Sequence, residues 1–163
     1  MGDSPALRAR EILQKHTVEG LPDAARLSAA PDDAFFAAML EASFLVAAAD
    51  GELSKEEAGS LVDLVAQLGG EAISPGQLAG MITDFQTSLE KDGRLARIGA
   101  LAATLPDPLA RREILGFASL LALCDHDLAP SELYVLHALG KGFGLDANAV
   151  NGIIRSVKTA MGE

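Results

Sequence analysis

A single cysteine, Cys124, carries all the thiol chemistry of the 163-residue chain. An internal disulfide is therefore excluded, which fits a reducing compartment. The scarcity also argues against zinc. Cys124 and His126 are only one residue apart, and the other two histidines, His16 and His137, lie at unrelated positions. A Cys–His nucleophile pair has no oxyanion hole or pocket to accompany it. Tryptophan is absent and aromatic residues make up only 4% of the chain. The core must then be built from Leu, Ala, Val and Ile, and an alanine-rich composition favours closely packed helices. Basic residues are outnumbered, 13 against 23 acidic ones, for a net charge of −10. Such a chain repels a nucleic-acid backbone unless its cations are concentrated. Arg94, Arg97, Arg111 and Arg112 are the only hint of a cluster, and they read better as the solvated face of a helix or two. No nucleic-acid partner is expected.

Long hydrophobic runs are missing as well. The longest, such as ILGFASLLAL, fall far short of a bilayer span, and the opening MGDSPALRAREILQK has no signal-like apolar core. The expectation is a cytoplasmic protein without direct membrane insertion, although contact with a membrane-bound partner stays open. There is no Walker lysine motif, no GxGxxG after a strand and no HExxH. Catalysis is not expected.

What is present is helical periodicity. Apolar residues recur at three and four, and no long stretch alternates at period two. Ser4-Pro5 opens a first helix that runs to about His16, and residues 17–30 form a connection. A long apolar helix follows from about Pro31 to Ala48. Ser54 stands three residues before Glu57, a capping box ahead of Leu61, Val62, Leu64, Val65 and Leu68, and Gly69-Gly70 ends that helix. Ser74-Pro75-Gly76-Gln77 is a second box, opening a helix with Leu78, Met81, Ile82, Phe85 and Leu89 on one stripe. Lys91-Asp92-Gly93 makes a turn before a shorter helix bearing Leu95, Ile98, Leu101 and Ala102. Asp107-Pro108 caps the next, Pro130 opens another, and Asp146 caps the last, with Leu145 and Val150 placed for a hydrophobic staple. Gly99, Gly116 and Gly140, isolated within helices, read as points of close packing. The count is eight helices, or seven plus an N-terminal arm.

The chain also repeats itself. Shifted by 75 residues, Asp50 falls on Asp125, Glu52 on Asp127, Leu53 on Leu128 and Glu57 on Glu132. Two helices apolar nearly all round, FFAAMLEASFLVAAA and ILGFASLLALC, run directly into these acidic junctions. The expected architecture is a compact all-α domain over residues 32–163, preceded by an N-terminal helix and connection over 1–31. Within it, two three-helix repeats, at about 32–90 and 108–160, would pack about a pseudo-twofold axis and bring both acidic turns to one end.

AAADGELSKEE looks at first like half a calcium loop. Such a loop needs oxygen ligands at positions 1, 3 and 5, Gly at 6 and Glu at 12. With Gly51 at 6 and Glu57 at 12, positions 1 and 3 fall on Val46 and Ala48, which have no side-chain oxygen, so a regular EF-hand is rejected. Glu57 and Glu132 have sufficient roles in the first turns of their helices, where carboxylates meet free N–H groups. Asp50, Glu52, Asp125 and Asp127 are less well explained by turn chemistry. Three readings of these acids stand side by side: a divalent-cation site, a protein-binding acidic patch and plain turn architecture.

AAADGELSKEE and its echo ALCDHDLAPSE resemble the paired motifs of the TerB-like family, named for a bacterial tellurite-resistance protein, over roughly residues 32–160. The resemblance implies an all-helical fold of two three-helix halves. It also implies a divalent-cation site (Ca, Mg or Mn, with zinc less suited) drawing on Asp50, Glu52, Glu57, Asp125, Asp127 and Glu132. His126 stands where the family favours Gly, and Ala129 where it favours a capping Ser. The implied role is a non-enzymatic cation-binding or cation-sensing module in tellurite or related stress, with a protein partner associated with membranes. The alternatives are an acidic interaction module without metal and, behind it, a metal-dependent hydrolase, for which no general base can be named.

Overall fold

The structure, a computed structural model, describes residues 34–49, 58–59, 61–62, 74–105, 108–125 and 129–160. Six helices are found among the described residues: α1 (Ala34–Ala47), α2 (Pro75–Asp92), α3 (Arg94–Thr104), α4 (Pro108–Asp125), α5 (Pro130–Gly142) and α6 (Ala147–Ala160). Ala58, Gly59, Leu61 and Val62 are helical too. The expected N-terminal helix and connection, the Ser54–Glu57 capping box, the Gly69-Gly70 stop and the Asp107 cap lie outside the described residues.

The local signals act as their chemistry requires. Ser74 Oγ accepts from Gln77 N at 3.2 Å, and Gln77 Oε1 accepts from Ser74 N at 3.0 Å, a reciprocal box at the start of α2. Gly93 alone separates α2 from α3. Its φ of 87° lies in the region that favours glycine, and its N–H closes α2 on Leu89 O at 2.9 Å. Asp146 Oδ1 accepts from Ala149 N at 2.8 Å to cap α6. Leu145 and Val150 both join the core.

α1 and α4 pack against each other more extensively than any other pair of helices. Both are apolar nearly all round, so each must be covered on every side. α1 is coated further by α2, α3 and α5, and α4 by α5 and α6. Phe44, Met39, Leu40, Leu45, Ile114, Leu115, Phe117 and Leu120 are fully buried between them. The two serines in this core, Ser43 and Ser119, each return their hydroxyl proton to the carbonyl four residues back, on Met39 and Leu115, at 2.9 Å. Neither hydroxyl is left unsatisfied.

Hydrogen bonds fix the helix directions. Arg94, at the start of α3, donates from Nη2 to Ala49 O, just past the end of α1, at 2.9 Å. Arg97, one turn on, reaches back to Glu41 within α1. α3 therefore runs antiparallel to α1. At the far end of α3, Arg111 near the start of α4 donates to Leu105 O at 2.6 Å, Ala102 O at 2.8 Å and Phe143 O, just beyond α5, at 3.1 Å. α4 thus starts at the pole where α3 and α5 end. Packed along α1, it runs in the same direction as α1 and ends at the same pole. α5 and α3 both begin there.

This arrangement corrects the expected architecture. Among the described residues six helices stand in place of the expected seven or eight, and no clear pair of three-helix repeats about a pseudo-twofold axis is seen. α3, which falls between the two expected repeats, packs on α1 and α5, one helix from each. The helices expected to correspond, α2 and α6, also differ. α6 buries Val150, Ile153, Ile154 and Val157, whereas α2 buries only Leu78 and Ile82, with Met81, Phe85 and Leu89 half-buried. Gly99 is a second correction: it is exposed, and a side-chain carbon there would meet nothing within 4 Å.

Two glycines make opposite predictions. A Cβ on Gly140 would run into Val150, so Gly140→Ala overpacks the α5–α6 contact and costs about 1–3 kcal/mol. Gly99→Ala, in open space on a helix, gains about 0.5–1 kcal/mol. Urea midpoints at constant m distinguish the two. Arg111→Ala removes a donor from three carbonyls, of which Ala102 O keeps the Leu105 N–H, and is expected to cost about 2–4 kcal/mol by the same measurement. Arg111→Lys recovers little of it, because one ammonium does not reproduce the planar fork.

Candidate functional site

Of the six acidic residues singled out in the sequence, Asp50, Glu52, Glu57 and Asp127 lie outside the described residues. Asp125 is the last residue of α4, and Glu132 sits in the first turn of α5. The residues flanking the two acidic turns are described. Ala49 precedes the first turn, and Asp125 and Ala129 bracket the second. All three belong to the pole where α1 and α4 end and α3 and α5 begin.

Glu132 is buried, and its Oε1 accepts from Ala129 N at 2.9 Å. Ala129 has no side-chain oxygen to return the bond, so only the glutamate half of a capping box exists here. The carboxylate also faces the positive end of the α5 dipole. A carboxylate offers about four lone-pair sites, so this bond does not exhaust Glu132 as an acceptor.

The arginines are the functional-site feature that sequence reasoning misjudged. Arg97 holds Glu41 with a two-pronged grip, Nε to Oε2 at 2.7 Å and Nη2 to Oε1 at 2.9 Å. Asp92 lies 3.7 Å from Arg97 Nη1. Glu41 is buried within α1, so its charge is matched inside the protein. The Glu41 hydrogen bond, seconded by the charges of Glu41 and Asp92, raises the Arg97 pKa above its ordinary value, against an opposing effect of burial. Arg94 meets the last carbonyl of the α1 segment, and its Nε is buried without a hydrogen-bond partner. Arg111 gathers three carbonyls, and Arg112 is also engaged. The expected solvated face is therefore a set of internal clamps. No local pattern could have announced this, because it depends on α3 lying antiparallel on α1.

Arg94 bears directly on the first acidic turn. A helix carboxyl end disfavours a neighbouring anion, and Asp50 follows Ala49 immediately. A guanidinium on the Ala49 carbonyl offsets that penalty. Farther along α5, the half-buried His137 places Nε2 3.1 Å from Asn151 Oδ1 of α6. Among the described residues no three His, Cys, Asp or Glu side chains are grouped to hold a metal. No helix among them is long and apolar enough to cross a membrane.

Comparison with known proteins gives one match. The family described as tellurite resistance protein TerB matches residues 36–154. No curated protein and no solved structure matches the chain.

Removing one member of the Arg97–Glu41 pair leaves the other buried and uncompensated. Arg97→Met is expected to cost about 3 kcal/mol in urea unfolding. The double variant Glu41→Leu/Arg97→Met should fall closer to wild type than Arg97→Met alone, giving a clear coupling term. The folded-state pKa of Arg97 is raised, so its contribution is complete below the ordinary arginine pKa and is lost only as pH rises through the still higher folded value. The difference between wild type and Arg97→Met should accordingly stay flat between about pH 7 and pH 9.

Proposed function

The chain belongs to the TerB family, matched over residues 36–154, and from that premise we propose that it is a divalent-cation-responsive module of a tellurite or related stress response. TerB family proteins are non-catalytic, so the role is binding rather than turnover. The observation that carries the reading is the common direction of α1 and α4. The two helices that lead into the acidic turns lie side by side and end at one pole.

The proposed mechanism is electrostatic. Asp50 and Asp125 follow or end helices whose dipoles disfavour them, and Glu52 and Asp127 add to the same charge. Carboxylates crowded together raise one another's cost of ionisation. A donor set made of carboxylate oxygens suits a hard ion, Ca, Mg or Mn, better than zinc. Such an ion would be held first by Asp50 and Asp125, then by Glu52 and Asp127. Glu57 and Glu132 act mainly from their helix first turns. Binding would relieve the repulsion and couple the two central helices, stabilising one arrangement of the domain. A cytoplasmic location and a protein partner complete the reading. The single cysteine supports the first, and the strongly acidic composition supports a partner with basic groups.

Calorimetric titration of calcium, magnesium, manganese and zinc, beside an Asp50→Asn/Asp125→Asn variant, tests this directly. The expected result is binding of a hard ion that the double substitution weakens at least tenfold. No binding at millimolar ion overturns the cation reading. Binding unchanged in the variant overturns the residue assignment.

A further inference from the structure

The cations of the described residues divide sharply by place. Arg94, Arg97, Arg111 and Arg112 are all engaged within the protein. Lys91 stands between Glu90 and Asp92 at the end of α2. The other three, Lys141, Arg155 and Lys158, are all on α5 and α6. Each is exposed, and among the described residues none of them has an ion-pair partner. Glu132 and Asp146 are the only carboxylates over residues 129–160, and both serve helix starts, on Ala129 N and Ala149 N. In a chain of net charge −10, the outer side of this helix pair is left positive.

α5 and α6 are joined by residues 143–146 and pack against each other. His137 meets Asn151 at 3.1 Å, and a Cβ on Gly140 would strike Val150. The higher α5 number takes the lower α6 number, so the two helices are antiparallel and their register is fixed. Lys141 is then level with the start of α6, Leu133 and Tyr134 with Arg155, and Lys158 with the start of α5. Side chains three or four apart share one side of a helix. Tyr134 and Leu133 stand three and four residues before His137, and Lys141 four after it. Arg155 and Lys158 stand four and seven after Asn151. The exposed Asn151 and half-buried His137 mark the outer seam between the helices, so these five side chains line that seam. It runs about 16 Å from the level of Lys141 to that of Lys158, at about 1.5 Å per residue.

Two of the five side chains are apolar, Tyr134 at 67% exposure and Leu133 at 38%. A single exposed apolar residue is ordinary. Here an adjacent pair lies beside Arg155, between Lys141 at one end of the seam and Lys158 at the other. A positive rim around an apolar centre is complementary to carboxylates set around apolar side chains. The length of the seam matches about three turns of helix. A bilayer or a nucleic-acid duplex is far wider than the seam, and its charge would also meet the net charge of −10 on the chain.

We infer that the outer seam of α5 and α6 is a docking surface for an acidic amphipathic helix of a partner protein. The apolar side of that helix rests on Leu133 and Tyr134, and its carboxylates face Lys141, Arg155 and Lys158. Tyr134 supplies the amphipathic aromatic contact that anchors such interfaces, and the helix is read through its apolar face as in other helix-on-surface complexes. The surface uses none of the carboxylates of the cation reading and goes beyond it, to a partner of opposite charge.

The test uses the full chain in EDTA and a rhodamine-labelled Leu/Glu amphipathic helical peptide, followed by anisotropy. An Ala/Glu peptide of equal charge and a Leu/Lys peptide of equal hydrophobicity are the comparators. The expected result is binding of the Leu/Glu peptide alone, weakened by added salt. Lys141→Gln/Arg155→Gln/Lys158→Gln should weaken it roughly tenfold or more, and Tyr134→Ser severalfold. All four substituted side chains are exposed, so circular dichroism should show the fold retained. No binding of the Leu/Glu peptide, equal binding of either comparator, or undiminished binding to the triple variant would each overturn the proposal. So would sedimentation showing self-association of wild type that the triple variant lacks, since a second copy is then the occupant. Uptake by phosphatidylserine vesicles that the triple variant loses would overturn it too, since a lipid surface is then the occupant. Chelation separates this result from the cation titration, so either reading can fail alone.

Discussion

The paired charges of Arg97 and Glu41 set the frame on which the rest of the molecule hangs. Glu41 sits in the most apolar of the described helices, where an unpaired carboxylate would be very costly. A two-pronged guanidinium matches it, with both bonds under 3 Å. A buried pair of this kind adds little net stability over an apolar replacement. It does add register. Only one alignment of α3 on α1 lets Arg97 reach Glu41, and that alignment also delivers Arg94 to Ala49 and turns Leu95 outward. One ion pair thus positions a cation on the Ala49 carbonyl and an exposed apolar side chain next to it in sequence.

The second constraint is the absence of a polar face on α1 and α4. Neither helix can lie at the surface, so the remaining elements are arranged as a coat around them. Hydrophobic burial is non-directional and would accept α4 parallel or antiparallel to α1. The choice is made by Arg111, which joins the carbonyl ends of α3 and α5 at the start of α4. Carbonyls left over at helix ends need donors, and one planar fork serves three of them. The common pole for the carboxyl ends of α1 and α4 is therefore a consequence of satisfying backbone groups at the opposite pole.

Much of this was legible in the residues. The Ser74 box, the Asp146 cap, the glycine break at Gly93 and the burial of the two apolar helices are all local or periodic features, and the chain wrote them plainly. What could not be read was anything that depends on which helices meet. Shared spacing between Asp50 and Asp125 implied two equivalent halves, but the third helices of those halves, α2 and α6, are buried to different depths. Gly99 and Gly140 look alike in sequence, yet only Gly140 faces a neighbour, Val150, that leaves no room for a methyl group. Arg94, Arg97 and Arg111 looked like surface charge because arginine usually is. Their roles depend on acceptors 45, 56 and 32 residues away in the chain. For the acidic turns, sequence supplied the residues, while the structure supplied the common direction of the two helices that lead into them.

The dipoles at that pole divide the acids into two kinds. α3 and α5 start there and present N–H groups, while α1 and α4 end there and present carbonyls. Glu132 belongs to the first kind: it sits on a helix start and takes the Ala129 N–H, so its charge is matched by the backbone. Asp125 belongs to the second kind, as the final residue of α4, and Asp50 follows the end of α1 by sequence. For Asp50 the chain brings Arg94 to the adjoining carbonyl, a partial answer in which one guanidinium Nε remains without an acceptor. A carboxylate at a helix carboxyl end gains nothing from the fold by being there. Its presence in both junctions, 75 residues apart, is what the cap chemistry that explains Glu132 does not cover.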